Sequence, residues 1–427
     1  MVDPAQRRLS RWYEVILFNR LFLFVLGYTI VVLLPTHLQW GIALTALPQQ
    51  GVIINTLSAN SIAYASSAFI LYKLSHYPGT RTLPFIVPTV ITSWLVVFSL
   101  FLFFRESAFS RPVLIISFIL AMGWAFLGYF FARRYRQPKL AVVPFGRAFE
   151  LCPVHNAPTC LLEEPLLEER RFDAVVADLH AKDMPAEWQT FLAKCTLAHI
   201  PVYHSQHVLE SLTGRVKIDH LSENNFGALI PSGLYAGIKR LVETLVVLAL
   251  MPLWLPVILI TGIIIKLESE GPMFFVQERV GQGNRDFKVY KLRSMCKDSE
   301  KDGAQFAQAD DMRVTRVGRF IRKTRLDELP QFFNILKGDM SLIGPRPEQR
   351  YFVDQFEKEI PFYSYRHVVK PGITGWAQVV HGYAADAEDT KVKIEHDFYY
   401  IKNFSLWLDL LIVLKTIRTI LTGFGAR

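Results

Sequence analysis

Cysteine is scarce in this chain of 427 residues, and the few cysteines form no pattern. Cys152, Cys160, Cys195 and Cys296 are irregularly spaced, which argues against a disulfide framework. Cys152 and Cys160 flank His155, but no second pair of ligands follows at the spacing of a zinc site. We therefore expect ordinary buried or surface cysteines rather than a metal centre.

Two further signals are missing. Gly146 stands alone after an apolar stretch, and no G-x-G-x-x-G sequence occurs, which weakens the hypothesis of an NAD-type dehydrogenase. The first apolar segment has no small-residue cleavage site, so no cleavable signal peptide is expected. No nucleic-acid partner is expected either.

Long apolar runs are abundant instead. Hydrophobic residues make up 51% of the chain and charged residues 20%, which indicates a protein that is part membrane and part aqueous. Four segments near residues 15–34, 52–71, 84–104 and 113–131 each approach the roughly 20 apolar residues that span hydrocarbon. We expect a four-helix transmembrane domain over residues 1–136.

The distribution of lysine and arginine orients these segments. Cations precede the first segment, lie between the second and third, and follow the fourth, whereas residues 36–50 contain none. The positive-inside rule then places both ends of the bundle in the cytoplasm. The net charge of +9 also favours contact with anionic lipid head groups and phosphorylated substrates.

Residues 137–220 are predicted to form a small Rossmann-like α/β module with a parallel sheet. Buried strands are predicted near residues 140–143, 172–178 and 200–203, with polar helical stretches between them. Because the glycine fingerprint is missing, we expect a regulatory or oligomerisation module rather than a cofactor-binding domain. The bundle and this module are compatible with a homodimer, although the sequence does not fix the oligomeric state.

An apolar segment at residues 241–265 lies near the start of the third predicted domain, 221–427. Pro252 and Pro256 interrupt it. Basic residues flank it on both sides: Lys239, Arg240 and Lys266. Proline kinks a helix, and cations at both ends favour return to the same face of the membrane. We expect a re-entrant hairpin over residues 238–266, with a simple kinked span as the alternative.

The remaining residues are polar and basic. Their pattern predicts two strands and two helices, near residues 274–277, 287–291, 314–324 and 328–336. The last apolar stretch, residues 406–420, contains Trp407 and interspersed charges. It fits a helix in the plane of the membrane interface and equally a helix packed on the domain core.

Asp327 and Glu328 are adjacent carboxylates at the start of a predicted helix, in a stretch rich in cations. An ionised carboxylate can attack phosphorus when arginine, lysine and a divalent cation neutralise the phosphate charge. Mg²⁺ takes carboxylate and phosphate oxygens as ligands. Neighbouring helical side chains point about 100° apart, so one carboxylate can face phosphorus and the other the metal. An ordinary capping pair is the alternative for this dipeptide alone.

Arg346 lies between Pro345 and Pro347. Because proline restricts the backbone, the two prolines favour a fixed guanidinium suited to a bidentate phosphate contact. A purely structural loop is the alternative.

Six motifs follow one another in the third domain: QERVG at 277–281, YKLRSM at 290–295, RLDELPQ at 325–331, GPRPE at 344–348, KPGITGW at 370–376, and YY at 399–400 leading to WLD. With the proline-broken segment, they make residues 237–421 resemble the bacterial polyprenyl-phosphate sugar-phosphate transferases, the monotopic phosphoglycosyl transferases. The whole chain is similar to the long form, with four N-terminal spans and a Rossmann-like module before an α+β catalytic domain.

The resemblance implies that Asp327 attacks the β-phosphorus of a UDP-sugar, releases UMP and forms a sugar-phosphoryl aspartate. Undecaprenyl phosphate then accepts the sugar phosphate, at the cytoplasmic face of a bacterial inner membrane. Glu328 is expected to bind Mg²⁺, and Pro252 to shape the membrane hairpin. The residues implied in substrate binding are Lys291, Arg293, Arg325, Arg346 and Glu348.

Met251 departs from the family pattern, in which serine often precedes this proline. A serine hydroxyl can satisfy backbone groups freed at a kink, so the departure leaves the hairpin geometry open. A membrane scaffold or regulator of glycan assembly without catalysis is the alternative function, and the intact Asp327, Glu328 and Arg346 count against it. The sequence names neither the sugar nor the glycan, whether O-antigen, capsule or exopolysaccharide.

Overall fold

The computed structural model describes residues 6–8, 10–41, 50–78, 83–103, 109–135, 138–152, 158–167, 170–218, 230–296, 313–382 and 387–422. The chain divides into two compact units, Met1–Gly214 and Arg215–Arg427. The first contains the apolar N-terminal helices and the α/β module, and the second contains the proline-broken segment and the carboxylate pair. The three predicted domain boundaries stay predictions.

Most of the described N-terminal region is helical. Its helices are α1 (Trp12–Leu17), α2 (Arg20–Tyr28), α3 (Leu34–Trp40), α4 (Gln50–Leu74), α5 (Leu83–Phe103) and α6 (Arg111–Tyr135). A π-helical turn, Thr29–Leu33, joins α2 to α3. Arg20–Trp40, Pro84–Phe103 and Arg111–Tyr135 are long and apolar enough to cross a membrane. These helices agree with a membrane bundle.

The first membrane helix does not begin at Val15, as the apolar pattern suggested. The Oδ1 atom of Asn19 accepts hydrogen bonds from the N–H groups of Leu21 and Phe22, at 2.8 and 3.3 Å. This N-cap separates the short α1 from α2, because it satisfies backbone donors that a continuous helix would pair internally.

Helix α4 contains several polar side chains, and some of them form hydrogen bonds to other helices of the bundle. Asn60 donates from Nδ2 to Oγ of Ser117 in α6 at 2.9 Å, and the hydroxyls of Tyr28 and Ser61 lie 2.9 Å apart. Polar side chains in membrane helices are stabilised by such interhelical bonds. The polar residues of the second predicted segment are therefore compatible with a membrane position.

The α/β module contains the predicted parallel sheet, which has four strands in the order β2-β1-β3-β4. Its elements are β1 (Leu140–Val142), β2 (Thr159–Leu161), β3 (Ala174–Ala177), α7 (Ala186–Leu197), β4 (Val202–His204) and α8 (Ser205–Thr213). Strands β1, β3 and β4 overlap the three predicted strands. Strand β2 was not predicted, because it is short, lies at the sheet edge and has no buried residue.

Asp178 occupies the carboxyl edge of this sheet between β1 and β3, where open parallel sheets bind ligands. Its Oδ2 atom accepts a hydrogen bond from the N–H of Arg147 at 3.0 Å. Gly146 has a φ of +56°, and a Cβ there would lie 2.5 Å from the same oxygen. The backbone N–H of the turn after β1, a group that can bind phosphate in nucleotide-binding modules, is thus paired with a carboxylate of the chain itself.

The second unit contains both helices and strands. Its elements are α9 (Gly233–Ala249), α10 (Met251–Glu268), β5 (Phe274–Val280), β6 (Asp286–Leu292), α11 (Arg316–Lys323), α12 (Gln331–Lys337), β7 (Ser341–Ile343), α13 (Arg350–Glu359), β8 (Gly372–Thr374), α14 (Trp376–Val380), α15 (Ala387–Lys402) and α16 (Leu406–Thr422). Strands β5 and β6 overlap the two predicted strands and form an antiparallel hairpin, and β7 pairs with β8 in parallel.

The proline-broken segment forms two helices that separate at Leu250, with Pro252 in the first turn of α10. The indole Nε1 of Trp254 donates to the carbonyl oxygen of Val247 at 2.9 Å, across the break. Trp254 therefore supplies a donor of the kind that a serine hydroxyl could provide. Met251, which lacks a hydroxyl, packs against the core instead.

Helix α16 packs on the domain core, which is one of the two positions that the sequence suggested. Leu408, Leu411 and Ile412 are fully buried, so one face packs on the core. Ile417 and Ile420 are exposed on the same helix. One face of α16 is therefore buried in the core, and the later part of the helix keeps an exposed apolar surface.

Candidate active site

Asp327 and Glu328 lie on a 3₁₀ turn, Leu326–Glu328, rather than on the α-helix that the sequence predicted. Helix α12 begins only at Gln331. Adjacent side chains on a 3₁₀ turn diverge by about 120°, so the expected separation of the two carboxylates is kept. Arg325, just before the turn, has the left-handed conformation, with φ 59° and ψ 18°. Such backbone strain in a non-glycine residue is concentrated at functional sites.

Of the two carboxylates, that of Asp327 has the fewer hydrogen-bond partners. Its Oδ1 atom is buried and has no hydrogen-bond partner among the described residues. Burial, and then the adjacent negative charge of Glu328, raise the pKa of Asp327 to about 6, against the opposing effect of nearby cations. An ionised oxygen without a partner is a suitable nucleophile.

The carboxylate of Glu328 is buried, and guanidinium groups next to it balance its negative charge. Its Oε1 atom accepts a hydrogen bond from Nη2 of Arg346 at 2.9 Å, and Nη1 of Arg325 lies 3.5 Å away. Burial alone would raise the pKa of Glu328, but Arg346, Lys291 and Arg325 outweigh it and lower the pKa to about 2. Glu328 is therefore a permanent anion at neutral pH.

Lys291, on β6, completes the cationic surroundings of the pair. Burial, and then the charge of Arg346, lower the pKa of Lys291 to about 8, although Glu328 and Asp327 oppose this effect. The fold thus brings together five of the predicted site residues, taken from three separate motifs: Lys291, Arg325, Asp327, Glu328 and Arg346.

A buried ion pair that the sequence did not predict holds the backbone of Arg346. Nη2 of Arg366 donates to the carbonyl oxygen of Arg346 at 2.9 Å. The same guanidinium donates to Oδ2 of Asp397 from Nε and Nη2, at 3.2 and 2.8 Å. Arg366 and Asp397 are only 3% and 1% exposed. No local pattern marks either residue, because the pair joins segments distant in the chain.

Glu348 pairs with cations of the protein itself. Its carboxylate lies 2.7 Å from Nζ of Lys393 and 3.5 Å from Nη1 of Arg279. Burial would raise its pKa, but Lys393, Arg366 and Arg279 together lower the pKa to about 2. Arg279 also donates to the carbonyl oxygen of Pro347 at 3.1 Å, so this cluster supports the Arg346 loop. A substrate-binding role for Glu348 stays a prediction.

Arg293 contacts the turn that follows α10. It donates from Nη1 to the carbonyl oxygen of Glu270 at 2.8 Å and from Nη2 to that of Ser269 at 2.7 Å. Gly271 has a φ of +123°, and a Cβ there would lie 2.1 Å from the Arg293 guanidinium. The described bonds of Arg293 are structural, and its predicted role in substrate binding stays a prediction.

Lys239 and Arg240, the cations before the proline-broken segment, contact protein in this structure. Lys239 is 8% exposed and donates from Nζ to Oδ2 of Asp409 at 2.6 Å. Arg240 donates to the carbonyl oxygens of Ile335 and Leu336, the latter at 3.0 Å, where a cation complements the C-terminal end of α12. Both residues therefore hold α9 to the domain that carries the carboxylate pair.

One group of potential metal ligands occurs in the described residues, outside this site: Asp178, His180 and His204. Nδ1 of His180 lies 2.9 Å from Nε2 of His204. Nδ1 of His204 accepts a hydrogen bond from the N–H of Gln206 at 3.1 Å, so its Nε2 carries the proton and cannot ligate a metal. The group is a hydrogen-bond network. His155 lies outside the described residues.

Comparison with known proteins gives one family match, to bacterial sugar transferase, over residues 234–423. A UDP-N-acetylgalactosamine-undecaprenyl-phosphate N-acetylgalactosaminephosphotransferase of Aeromonas hydrophila is 57% identical over 426 residues, 99% of each chain. A UDP-glucose:undecaprenyl-phosphate glucose-1-phosphate transferase of Xanthomonas campestris pv. campestris is 46% identical over 177 residues, 41% of this chain and 36% of its own. The protein of the same description from Escherichia coli (strain K12) is 37% identical over 233 residues, 52% of this chain and 48% of its own.

Proposed function

The chain belongs to the bacterial sugar transferase family, and we propose that it transfers a sugar 1-phosphate from a UDP-sugar to undecaprenyl phosphate, releasing UMP. The observation that carries the proposal is the carboxylate of Asp327. Its Oδ1 atom is buried without a described partner, beside the cations Lys291 and Arg346. This is the arrangement that attack on an anionic phosphorus requires.

In the first step, the ionised carboxylate of Asp327 attacks the β-phosphorus of the UDP-sugar. A bond forms between Oδ1 and phosphorus, and the bond from phosphorus to the bridging oxygen breaks. UMP leaves with that electron pair, and a sugar-phosphoryl aspartate remains. No separate base is needed, because the carboxylate is ionised above its pKa of about 6. Lys291 and Arg346 reduce the repulsion between the two anions.

In the second step, a phosphate oxygen of undecaprenyl phosphate attacks the phosphorus of this intermediate. The bond between Oδ1 of Asp327 and phosphorus breaks, and the carboxylate is regenerated. Arg346 is held in place for both steps through its carbonyl bond to Arg366. The product is an undecaprenyl diphosphate sugar, the start of a cell-surface glycan.

The site fits Mg²⁺. Glu328 is ionised at neutral pH, with a pKa of about 2. Carboxylate oxygens are the ligands that Mg²⁺ prefers. Glu328 would hold the ion, and the bound ion would neutralise charge on the diphosphate of the donor.

UDP-N-acetylgalactosamine is the donor that we propose first. The Aeromonas relative, whose name specifies N-acetylgalactosamine, matches 99% of this chain. The Xanthomonas and Escherichia relatives, whose names specify glucose, match about half of it or less. Full-length similarity therefore favours N-acetylgalactosamine over glucose.

We also propose that α9 and α10 form a re-entrant hairpin at the cytoplasmic face of the inner membrane. Arg240, in the middle of α9 and directly before the apolar segment, contacts α12, and Glu268 at the end of α10 accepts from the N–H of Val317 in α11 at 3.1 Å. Both ends of the segment therefore contact the same domain, which supports a return to one face over a simple span.

The test uses the purified full chain with Mg²⁺, undecaprenyl phosphate and a panel of UDP-sugars, with UMP as the readout. We expect UMP release with UDP-N-acetylgalactosamine and loss of at least about 10³-fold in Asp327→Asn. The exposed Asp354→Asn is the matched control. Incubation with donor alone should yield a sugar-phosphoryl adduct on the peptide containing Asp327, detected by mass spectrometry. Release of UDP instead of UMP, or full activity of Asp327→Asn, would exclude this mechanism.

A further inference from the structure

We propose that the exposed face of α11 binds the head groups of anionic phospholipids where α10 leaves the bilayer. The inference deepens the proposed membrane topology and rests on it. Its ligand is a bilayer lipid such as phosphatidylglycerol, distinct from the polyprenyl phosphate acceptor.

The face is formed by Arg316, Arg319, Phe320 and Lys323, all exposed. Their spacing of i, i+3, i+4 and i+7 places them on one side of the helix. The opposite side of the helix packs closely against the protein, which fixes the rotation of the helix about its axis. Gly318 is buried so closely that a Cβ would lie 1.9 Å from the carbonyl oxygen of Ser294.

The position of α11 relative to α10 places this face near lipid. Both carboxylate oxygens of Glu268, the last residue of α10, lie within hydrogen-bond distance of the N–H of Val317, at 3.1 and 3.3 Å. Helix α10 is long and apolar enough to cross a membrane, and its Leu267 is 83% exposed. The first turn of α11 therefore lies beside the end of an apolar helix that is suited to a lipid environment.

The exposed Phe320 distinguishes this face from the face of an ordinary solvated cationic helix. Its ring is 60% exposed and lies among three cations. Exposed cations beside an exposed aromatic ring suit a membrane interface, because the cations are attracted to anionic lipid while the ring can adjoin the apolar boundary. The aliphatic stems of Arg316 and Arg319 can lie along the apolar boundary while their charged ends reach the phosphates.

Charge complementarity selects anionic head groups. Among the described residues, no ion pair involves Arg316, Arg319 or Lys323. The segment 297–312, which lies outside the described residues, contains five carboxylates by sequence and is the rival source of negative charge. The experiment must therefore distinguish lipid from this segment.

Lipid binding at α11 would affect the position of Asp327 relative to the membrane. From α11 the chain passes through Arg325 directly to Asp327. Lipid contact along α11 would hold the nucleophile close to the membrane surface, at the depth where the phosphate of a polyprenyl lipid lies.

The experiment is native mass spectrometry of the full chain in detergent, titrated with phosphatidylglycerol or phosphatidylcholine. Arg316→Gln, Arg319→Gln and Lys323→Gln are combined in one variant. Each cation near an anionic surface contributes about fivefold in affinity, so we expect the triple variant to bind phosphatidylglycerol on the order of 100-fold more weakly. Binding of phosphatidylcholine should be unchanged.

The control combines Arg285→Gln, Lys288→Gln and Lys358→Gln, three exposed cations elsewhere in the same unit. It changes the net charge equally and should leave phosphatidylglycerol binding intact. A variant with Arg316→Lys and Arg319→Lys keeps the charge and should retain binding, and equal thermal midpoints in detergent show that each variant is folded. Unchanged lipid binding in the glutamine variant would overturn the proposal and favour the acidic segment as the partner. Equal loss in the control would overturn it in favour of non-specific attraction to the net charge. Because lipid binding is read without turnover, this failure is distinct from failure of the proposed reaction.

Discussion

Arg346 donates a hydrogen bond from Nη2 to Oε1 of Glu328 across 2.9 Å. The carboxylate of Asp327, one residue earlier, has no described partner on Oδ1. The cations lower the pKa of Glu328 against the effect of burial, whereas burial raises that of Asp327. Two adjacent carboxylates in opposite environments commonly have different roles. The structure therefore supports Glu328 as the permanent anion and Asp327 as the group that changes state.

The first prediction concerns pH. The pKa of Asp327 is about 6, and only its ionised form can attack phosphorus. We expect kcat/KM for UMP release to rise with pH and to reach half its plateau near pH 6. The assay is a single turnover without undecaprenyl phosphate, because a phosphate monoester titrates in the same range. A rate that is flat between pH 5 and pH 8 would contradict the assignment.

The second prediction concerns stability. The folded-state pKa of Asp327 is raised, so its contribution to folding is present below the unfolded pKa near 4 and is lost as pH rises through about 6. Asparagine is neutral at every pH. The thermal midpoint of Asp327→Asn should therefore exceed that of the wild type at pH 8, and the difference should vanish by pH 4. A lower midpoint for the variant at pH 8 would show that the cations favour the charged carboxylate overall.

The third prediction concerns Mg²⁺. Glu328→Gln removes the ionised carboxylate but keeps the size of the side chain. We expect at least about tenfold weaker Mn²⁺ binding, measured by electron paramagnetic resonance with Mn²⁺ in place of Mg²⁺, and a matching rise in the Mg²⁺ concentration needed for UMP release. Wild-type affinity in this variant would remove Glu328 from the metal site.

The fourth prediction concerns the buried pair of Arg366 and Asp397. Asp397→Asn leaves the Arg366 guanidinium buried without its anion, which should cost roughly 3–5 kcal/mol of stability. If the pair positions Arg346, the midpoint of the pH profile should also move above 6, because Asp327 loses a cation held nearby. The exposed Asp354→Asn is the control. A stability loss with an unchanged pH profile would show a purely structural pair.

The fifth prediction concerns the helix break. Trp254→Phe removes the donor to the carbonyl oxygen of Val247 and should cost about 1–3 kcal/mol, because a buried acceptor is left unpaired. Adding Met251→Ser to this variant should restore part of the loss through the serine hydroxyl. Thermal midpoints in one detergent measure both effects, with Trp12→Phe, at a ring 76% exposed, as the control. An unaltered midpoint for Trp254→Phe would show that the bond does not stabilise the break.

The sequence by itself determined the features that depend on neighbouring residues. Apolar length indicated the membrane helices, the local residue pattern indicated strands near β5 and β6, and six motifs taken together with the proline-broken segment indicated the family. These patterns are readable because helix and strand periodicity and proline geometry act over a few residues. Even so, the local pattern missed the Asn19 cap, the short strand β2 and the 3₁₀ turn at the carboxylate pair.

Only the tertiary structure decided how the charges are paired. Lys239 was read as a cation at the membrane boundary, and the structure buries it against Asp409. Arg366, Asp397 and Lys393 had no local signature, yet they fix the loop that carries Arg346. The pKa difference between two adjacent carboxylates also arose only on folding. The physical reason is that burial and ion pairing join residues distant in the chain, and their energies depend on distances that no local sequence pattern contains.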